Sequence, residues 1–319
     1  GLVLARTASG ECWCAPSGRF RERLREDGLT PCVGDWIVLE PQLGGAKALI
    51  HDLLPRGAAL SRRDSGPGHR RQWLAANLDV VLVVMDLDRN FNLARLERLL
   101  ALAWGSGARP VVVLTKADLR PAVAAELARV AASAPGVQVL AVSARTGLGL
   151  AELRACLPFG QTGVLVGSSG VGKSTLLNAL AGQDLSRTQE VRAADGRGRH
   201  TTTLRELFRL ADGGCLIDTP GIREVGLAAA GSDLDGAFVD LADLARHCRF
   251  RDCAHGAEPG CAVQAALADG RLDPQRHSNY LRLRREVAFE AAREDERLWR
   301  QREQKWRTIS RINKHARKA

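Results

Sequence analysis

From residue 80 the chain alternates short, wholly apolar runs with stretches whose leucines recur every three or four positions. Val80-Val-Leu-Val-Val84 has no polar position, which marks a strand buried on both faces. Leu93, Leu96, Leu99 and Leu100 follow at helical spacing. The same reading predicts strands at 111–114, 137–142 and 162–166 and helices at 123–130, 148–157 and 176–180. Strands alternating with helices imply a parallel sheet covered on both faces. Further on, 205–210 and 215–218 flank Ala211-Asp-Gly-Gly214, a hairpin turn. Residues 1 to about 60 follow a different rhythm, with brief apolar–polar alternations broken by Gly and Pro, which predicts a small β-barrel of the OB type. Residues 61–72 contain no core-forming residue and read as a linker. From 281 the chain is helical in propensity and heavily charged. The layout expected is a β-barrel over 1–62, an α/β domain over 73–231 and a mostly α domain over 232–319.

Composition narrows the setting. The chain has 319 residues and 45% hydrophobic content, ordinary for a globular protein. No apolar run approaches the roughly 20 residues a membrane-spanning helix needs. The N-terminus lacks a basic segment followed by an apolar one, so no export signal is expected and the cytoplasm is the expected compartment. There the eight cysteines would stay reduced. A net charge of +10 suggests a polyanionic partner. Much of it lies between 281 and 319, which holds thirteen basic and six acidic residues, with Trp299 and Trp306 on one helical face. Arg19, Arg21, Arg23 and Arg25 are interleaved with Glu22, Glu26 and Asp27, and fit a nucleic-acid surface or a mixed solvated face equally well.

The strongest chemical signal is Gly167-Ser-Ser-Gly-Val-Gly-Lys-Ser-Thr175, a G-x-x-x-x-G-K-S sequence set between the 162–166 strand and the 176–180 helix. Glycines 167, 170 and 172 let backbone amides turn inward as a nest for phosphate oxygens. With Ser168, Ser169 and Val171 between them, they form a loop from which Lys173 reaches the β- and γ-phosphates and Ser174 ligates Mg²⁺. Other strands end in matching signals. Thr115-Lys-Ala-Asp118 offers Asp118 to guanine N1–H and N2–H₂, a donor pair adenine lacks, and the Lys116 stem to the base plane. Ser143-Ala144 offers a backbone amide to the guanine carbonyl. Asp218-Thr-Pro-Gly221 offers a carboxylate to Mg²⁺ through water and the Gly221 amide to the γ-phosphate. Gly198-Arg-His-Thr-Thr-Thr203 can supply a threonine, Thr202 or a neighbour, to the metal. Each tetrapeptide alone is weak. Together, each closing its own buried strand, they point to GTP with Mg²⁺. Their order is unusual, because the base-reading motifs precede the phosphate loop; a sheet tolerates such circular permutation when the chain ends lie close together. Ile222 stands where a water-orienting Gln is common, so the water must be oriented by another group, a partner or an ion, and His200 is a candidate.

Cys248-x4-Cys253-x-His255-x5-Cys261 supplies three thiolates and an imidazole, a complete tetrahedral set for one structural zinc ion with no open position for catalysis. A basic helical tail beside such a knot suits phosphate-backbone binding or, equally, a solvated charged helix.

These residues together resemble the RsgA (YjeQ) family of circularly permuted GTPases that depend on the small ribosomal subunit. The likeness rests on Gly34-Asp-Trp36, Leu54-Pro-Arg56, Ala75-Ala-Asn-Leu-Asp79, Thr115 to Asp118, Gly167 to Thr175, Gly198 to Thr203, Asp218 to Gly221 and the cysteine knot. It implies an OB-fold, a GTPase domain and a zinc domain, and a protein that binds the small subunit and its rRNA late in maturation, as a monomer. GTP hydrolysis would be stimulated by the subunit and coupled to release. It also implies that Lys173 and Ser174 serve phosphate and Mg²⁺, that Thr202 or a neighbouring threonine serves the first switch, and that His200 matches the family's candidate catalytic histidine. Two departures stand out. Thr115 replaces the family's Asn, removing an amide that bonds the base and steadies the loop, and the barrel is short of its usual leading residues. Two rival readings remain at this point. One is an RNA-binding module in which the nucleotide is a structural ligand. The other is a P-loop ATPase acting on metabolites.

Overall fold

The computed structural model describes residues 2–26, 29–41, 47–63, 71–87, 91–120, 123–182, 205–218, 233–256 and 258–294. Within them, β1 (Val3–Thr7), β2 (Gly10–Pro16), β3 (Ile37–Pro41) and β4 (Lys47–Leu53) form a sheet in the order β1-β2-β4-β3. The alternation expected there is present, with Ala5, Cys14, Ala48 and Ile50 turned into a small core. The arginine-rich stretch is helix α1 (Gly18–Glu26). Phe20 is buried and Leu24 packs beside it, and this i, i+4 pair seats the helix on the sheet while Arg19, Arg21 and Arg23 face outward.

The segment read as a linker is also more structured than expected. Its ends pair antiparallel as β5 (Ala59–Arg63) and β6 (Arg71–Ala76), and Leu60 and Leu74 join the core of the following unit. Two apolar residues just outside the polar stretch anchor the hairpin, which a scan for apolar runs passes over.

The next unit is a six-stranded sheet in the order β11-β12-β10-β7-β8-β9, built from β7 (Val80–Asp86), β8 (Arg109–Thr115), β9 (Gln138–Ala141), β10 (Thr162–Val166), β11 (Glu206–Arg209) and β12 (Cys215–Asp218). All pairings are parallel except the β11–β12 hairpin. Every residue of β7 is buried because successive side chains enter two different cores. Val81, Val83 and Met85 face α2 (Leu93–Gly105) and α3 (Val123–Ser133). Val80, Leu82 and Val84 face α4 (Leu150–Ala155) and α5 (Lys173–Ala181).

The first of these cores continues into the last part of the chain. Phe238, between α6 (Leu234–Ala237) and α7 (Val239–Ala245), packs there with Val263 of α8 (Ala262–Ala268) and Leu283 of α9 (Pro274–Glu294). A buried polar network reinforces the junction. Arg276 donates two hydrogen bonds to Asp240, at 2.7 Å each, and one to Glu97 of α2 at 2.9 Å, while Asn279 donates to the other Glu97 oxygen. Burial, opposed by Arg276 and Asn279, pushes the Glu97 carboxyl above its ordinary range. Among the described residues no helix is long and apolar enough to cross a membrane.

Several residues that carried the family likeness sit where the first sheet meets the α/β unit. Gly34 has φ +91, and a Cβ there would lie 2.2 Å from the Ala76 carbonyl oxygen. The Arg56 guanidinium grips both oxygens of Asp35 at 2.7 and 2.8 Å and stacks over Trp73. Asn77 donates to Gly34 O and accepts from Gly57 N. These residues tie the first sheet to the α/β unit.

Candidate nucleotide and metal sites

The phosphate loop runs from the end of β10 into the N-terminus of α5, at the carboxyl edge of the sheet, where ligands of open α/β folds bind. Gly170 (φ +79) and Gly172 (φ +96) are left-handed, and Gly167 would drive a Cβ to 2.2 Å from Val84 O. Lys173 Nζ folds over the loop and donates to Gly167 O at 2.8 Å and Ser168 O at 2.6 Å, so the ammonium sits at the loop's mouth. Ser174 and Thr175 are exposed beside it, Ser169 is exposed, and Val171 is buried in the core below.

Strand β8 brings alongside the segment expected to read the base. Asp118 is exposed in a single 3₁₀ turn, Ala117–Leu119. Thr115 is buried, and its hydroxyl lies 2.6 Å from Val171 O in the phosphate loop and 3.2 Å from Met85 O. The one hydroxyl proton goes best to the nearer carbonyl. The loop-steadying contact expected to vanish with the family's Asn is therefore supplied by a hydroxyl. This corrects half of the departure; the amide toward the base is still missing.

Lys116 adopts the left-handed conformation (φ +59), uncommon for a residue with a side chain. Its Nζ is 3.0 Å from Asp86 Oδ2. Asp86 closes β7, lies opposite Thr115 in the pairing, and is 3% exposed; its Oδ1 is buried without a hydrogen-bond partner among the described residues. Sequence reading passed over Asp86, although an acid closing an otherwise apolar buried run is a signal.

After β9, Ser143 uses its amide on Leu148 O and its hydroxyl on the Thr146 amide. Ser143 thus shapes the loop, leaving the neighbouring Ala144 amide as the donor available to a guanine carbonyl. Asp218 closes β12, next to the phosphate loop's own strand. His200, Thr202 and Gly221 lie outside the described residues, as do Trp299 and Trp306.

The cysteine knot closes as its spacing suggests. Cys248 Sγ and Cys261 Sγ lie 3.6 and 3.7 Å from His255 Nδ1 and 3.9 Å from each other, and the four donor atoms, Cys253 Sγ included, fall within 4.8 Å of one another. Tetrahedral zinc with bonds near 2.3 Å to sulfur and 2.0 Å to nitrogen has edges of about 3.5–3.8 Å. The donors fit. Burial holds His255 below its ordinary pKa, in the neutral form that ligates metal, and Gln264 Nε2 fixes its backbone by donating to His255 O at 2.7 Å. Cys261 caps α8, accepting from the Gln264 amide.

Residues 53–228 match the family model described as RsgA GTPase. The chain is 49% identical over 269 residues to "Small ribosomal subunit biogenesis GTPase RsgA" of Streptomyces coelicolor, covering 83% of this chain and 73% of that protein. It is 45% identical over 315 residues to the protein of the same name from Opitutus terrae, covering 95% and 85%. Among solved structures, YjeQ from Thermotoga maritima superposes with a TM-score of 0.66 at 27% identity over 90% of this chain and 94% of that one. YloQ, described as a circularly permuted GTPase, shares the fold at 24% identity, with a TM-score of 0.61.

Proposed function

The chain belongs to the RsgA GTPase family, and from that premise we infer that it hydrolyses GTP while acting in biogenesis of the small ribosomal subunit. The observation that carries this at the site is the permuted arrangement. The segments proposed to read the base follow β8 and β9, and the glycine-rich loop follows β10, all at one edge of a parallel sheet, although they precede that loop in sequence.

In this reading the loop amides from Gly167 to Thr175 and the Lys173 ammonium hold the β- and γ-phosphates. Asp118 accepts from the guanine edge and the Ala144 amide meets its carbonyl. Ser174 and Asp218, with Thr202, are the residues that would hold Mg²⁺, which when bound neutralises charge developing on the phosphates. The Gly221 amide meets the γ-phosphate. His200 takes the hydrogen-bonding role toward water that Ile222 cannot fill. Cys248, Cys253, His255 and Cys261 hold one zinc ion as a structural staple. The protein works as a monomer in the cytoplasm with three domains, 1–62, 73–231 and 232–319. Its basic last segment meets rRNA of the subunit, and docking there completes the hydrolytic geometry and leads to release.

The test is steady-state GTP turnover with and without purified small subunits. Stimulation of tenfold or more, lost in His200→Ala while nucleotide binding persists, is the expected result. An unchanged rate on the subunit would overturn the coupling, and retained stimulation in His200→Ala would remove the histidine from the mechanism.

A further inference from the structure

We propose that Asp86 is a positioning residue for the guanine nucleotide: by gripping the Lys116 ammonium it holds the lysine stem in place across the base pocket. The inference rests on guanine binding at this site.

Asp86 stands between the two halves of the pocket. The backbone of β7 runs so close to the start of the phosphate loop that only glycine fits at 167. Asp86 is two residues beyond that approach and directly opposite Thr115, the residue that ties β8 to the loop. From there its carboxylate reaches the next residue, Lys116, at 3.0 Å.

Two features make this pair more than a surface ion pair. Asp86 is almost wholly buried whereas Lys116 is about one-third exposed, so the carboxylate is the fixed partner and the lysine the adjustable one. Lys116 also holds a left-handed backbone that a side chain disfavours. The Leu119 amide bonds to Lys116 O and the Ala117 amide to Val142 O, which pins the backbone. The ion pair is the contact that directs the side chain. With its ammonium drawn toward the phosphate-loop side, the four-carbon stem is left to lie between that loop and the segment carrying Asp118. The second oxygen, buried and unpartnered, is costly for stability alone and is the kind of half-satisfied group found where a site uses it.

The experiment measures GDP and ADP affinities, inorganic pyrophosphate affinity and nucleotide-free melting temperature for the wild type, Asp86→Ala, Asp86→Asn, Lys116→Met and the Asp86→Asn/Lys116→Met double variant. The expected result is GDP affinity weakened about tenfold in Asp86→Ala and less in Asp86→Asn, pyrophosphate affinity unchanged within twofold, and a double variant no weaker than Lys116→Met alone. The proposal is overturned by unchanged GDP affinity, by a parallel loss of pyrophosphate binding, or by additive losses in the double variant. Should Asp86→Ala fail to fold, Asp86→Asn decides by the same criteria. Wild type that fails to prefer GDP over ADP would instead overturn the guanine reading on which the proposal stands.

Discussion

Thr115→Val isolates one hydrogen bond in the nucleotide site. The two side chains match in shape, but the valine cannot donate to Val171 O, 2.6 Å from the native hydroxyl. Thr115 is 5% exposed, so water cannot readily replace the donor. Leaving a buried acceptor without its partner costs about 1–3 kcal/mol. Where that cost falls depends on the loop. Gly167, Gly170 and Gly172 all have positive φ, so this stretch has wide backbone freedom, and Thr115 is a tether reaching it from another strand. Without the tether the loop samples more conformations when empty, and ordering it must be done by the ligand. The loss should therefore appear as weaker GDP and GTP binding, about 5- to 150-fold from the same figure, with nucleotide-free stability lowered by under about 1 kcal/mol. Fluorescent-GDP titration and urea denaturation of nucleotide-free protein measure the two parts. Affinity within twofold of wild type, with the full loss in stability, would refute the reasoning, because it would mean the empty loop is already held elsewhere. Thr115→Asn should retain at least wild-type affinity if its amide reaches both the loop and the base.

Other consequences follow from the same geometry. Asp118→Asn should weaken GTP binding at least about 100-fold while leaving ATP binding unchanged, since only guanine offers the paired N–H donors; competition binding of the two nucleotides decides it. Replacing Cys261 by Ser should abolish bound zinc by metal analysis and lower the melting temperature by about 10 °C or more, because Cys253 and Cys261 sit in the core shared with α2; full metal content in the variant would contradict the ligand set. Arg276→Ala should destabilise the protein by about 3–5 kcal/mol in urea unfolding, because Glu97 and Asp240 lose their shared cation. Glu97→Gln should behave differently with pH. A carboxyl raised above its unfolded value binds its proton more tightly when folded, so it favours folding at acid pH and that contribution is lost as pH rises through the folded value. Wild-type stability relative to Glu97→Gln should therefore rise as pH falls from 7 toward about 4, and a flat difference would contradict the burial argument.

Much of the α/β unit could be read from the chain because its signals are local or periodic. A strand buried on both faces has to be apolar throughout, as Val80–Val84 is. A loop that wraps phosphate has to place glycines where φ is positive, as at Gly170 and Gly172. The knot's ligands lie within fourteen positions, so their spacing alone nearly specifies the site. Even the permuted order was visible, because each motif closes its own strand.

Tertiary structure decided what depends on which distant residues meet. The period of α1 was hidden by its arginines, and only the sheet beneath shows that Phe20 and Leu24 matter more. The hairpin at 59–76 is held by two leucines outside the polar stretch between them. Glu97 and Arg276 are 179 positions apart, and neither betrays a buried partner in sequence. Asp86 and Thr115 likewise show no partner locally, because strand pairing sets them opposite each other and the phosphate loop closes on them from 56 positions beyond Thr115. Backbone conformation and burial are written in short windows of chain, whereas a hydrogen bond between strands exists only after the sheet has chosen its order.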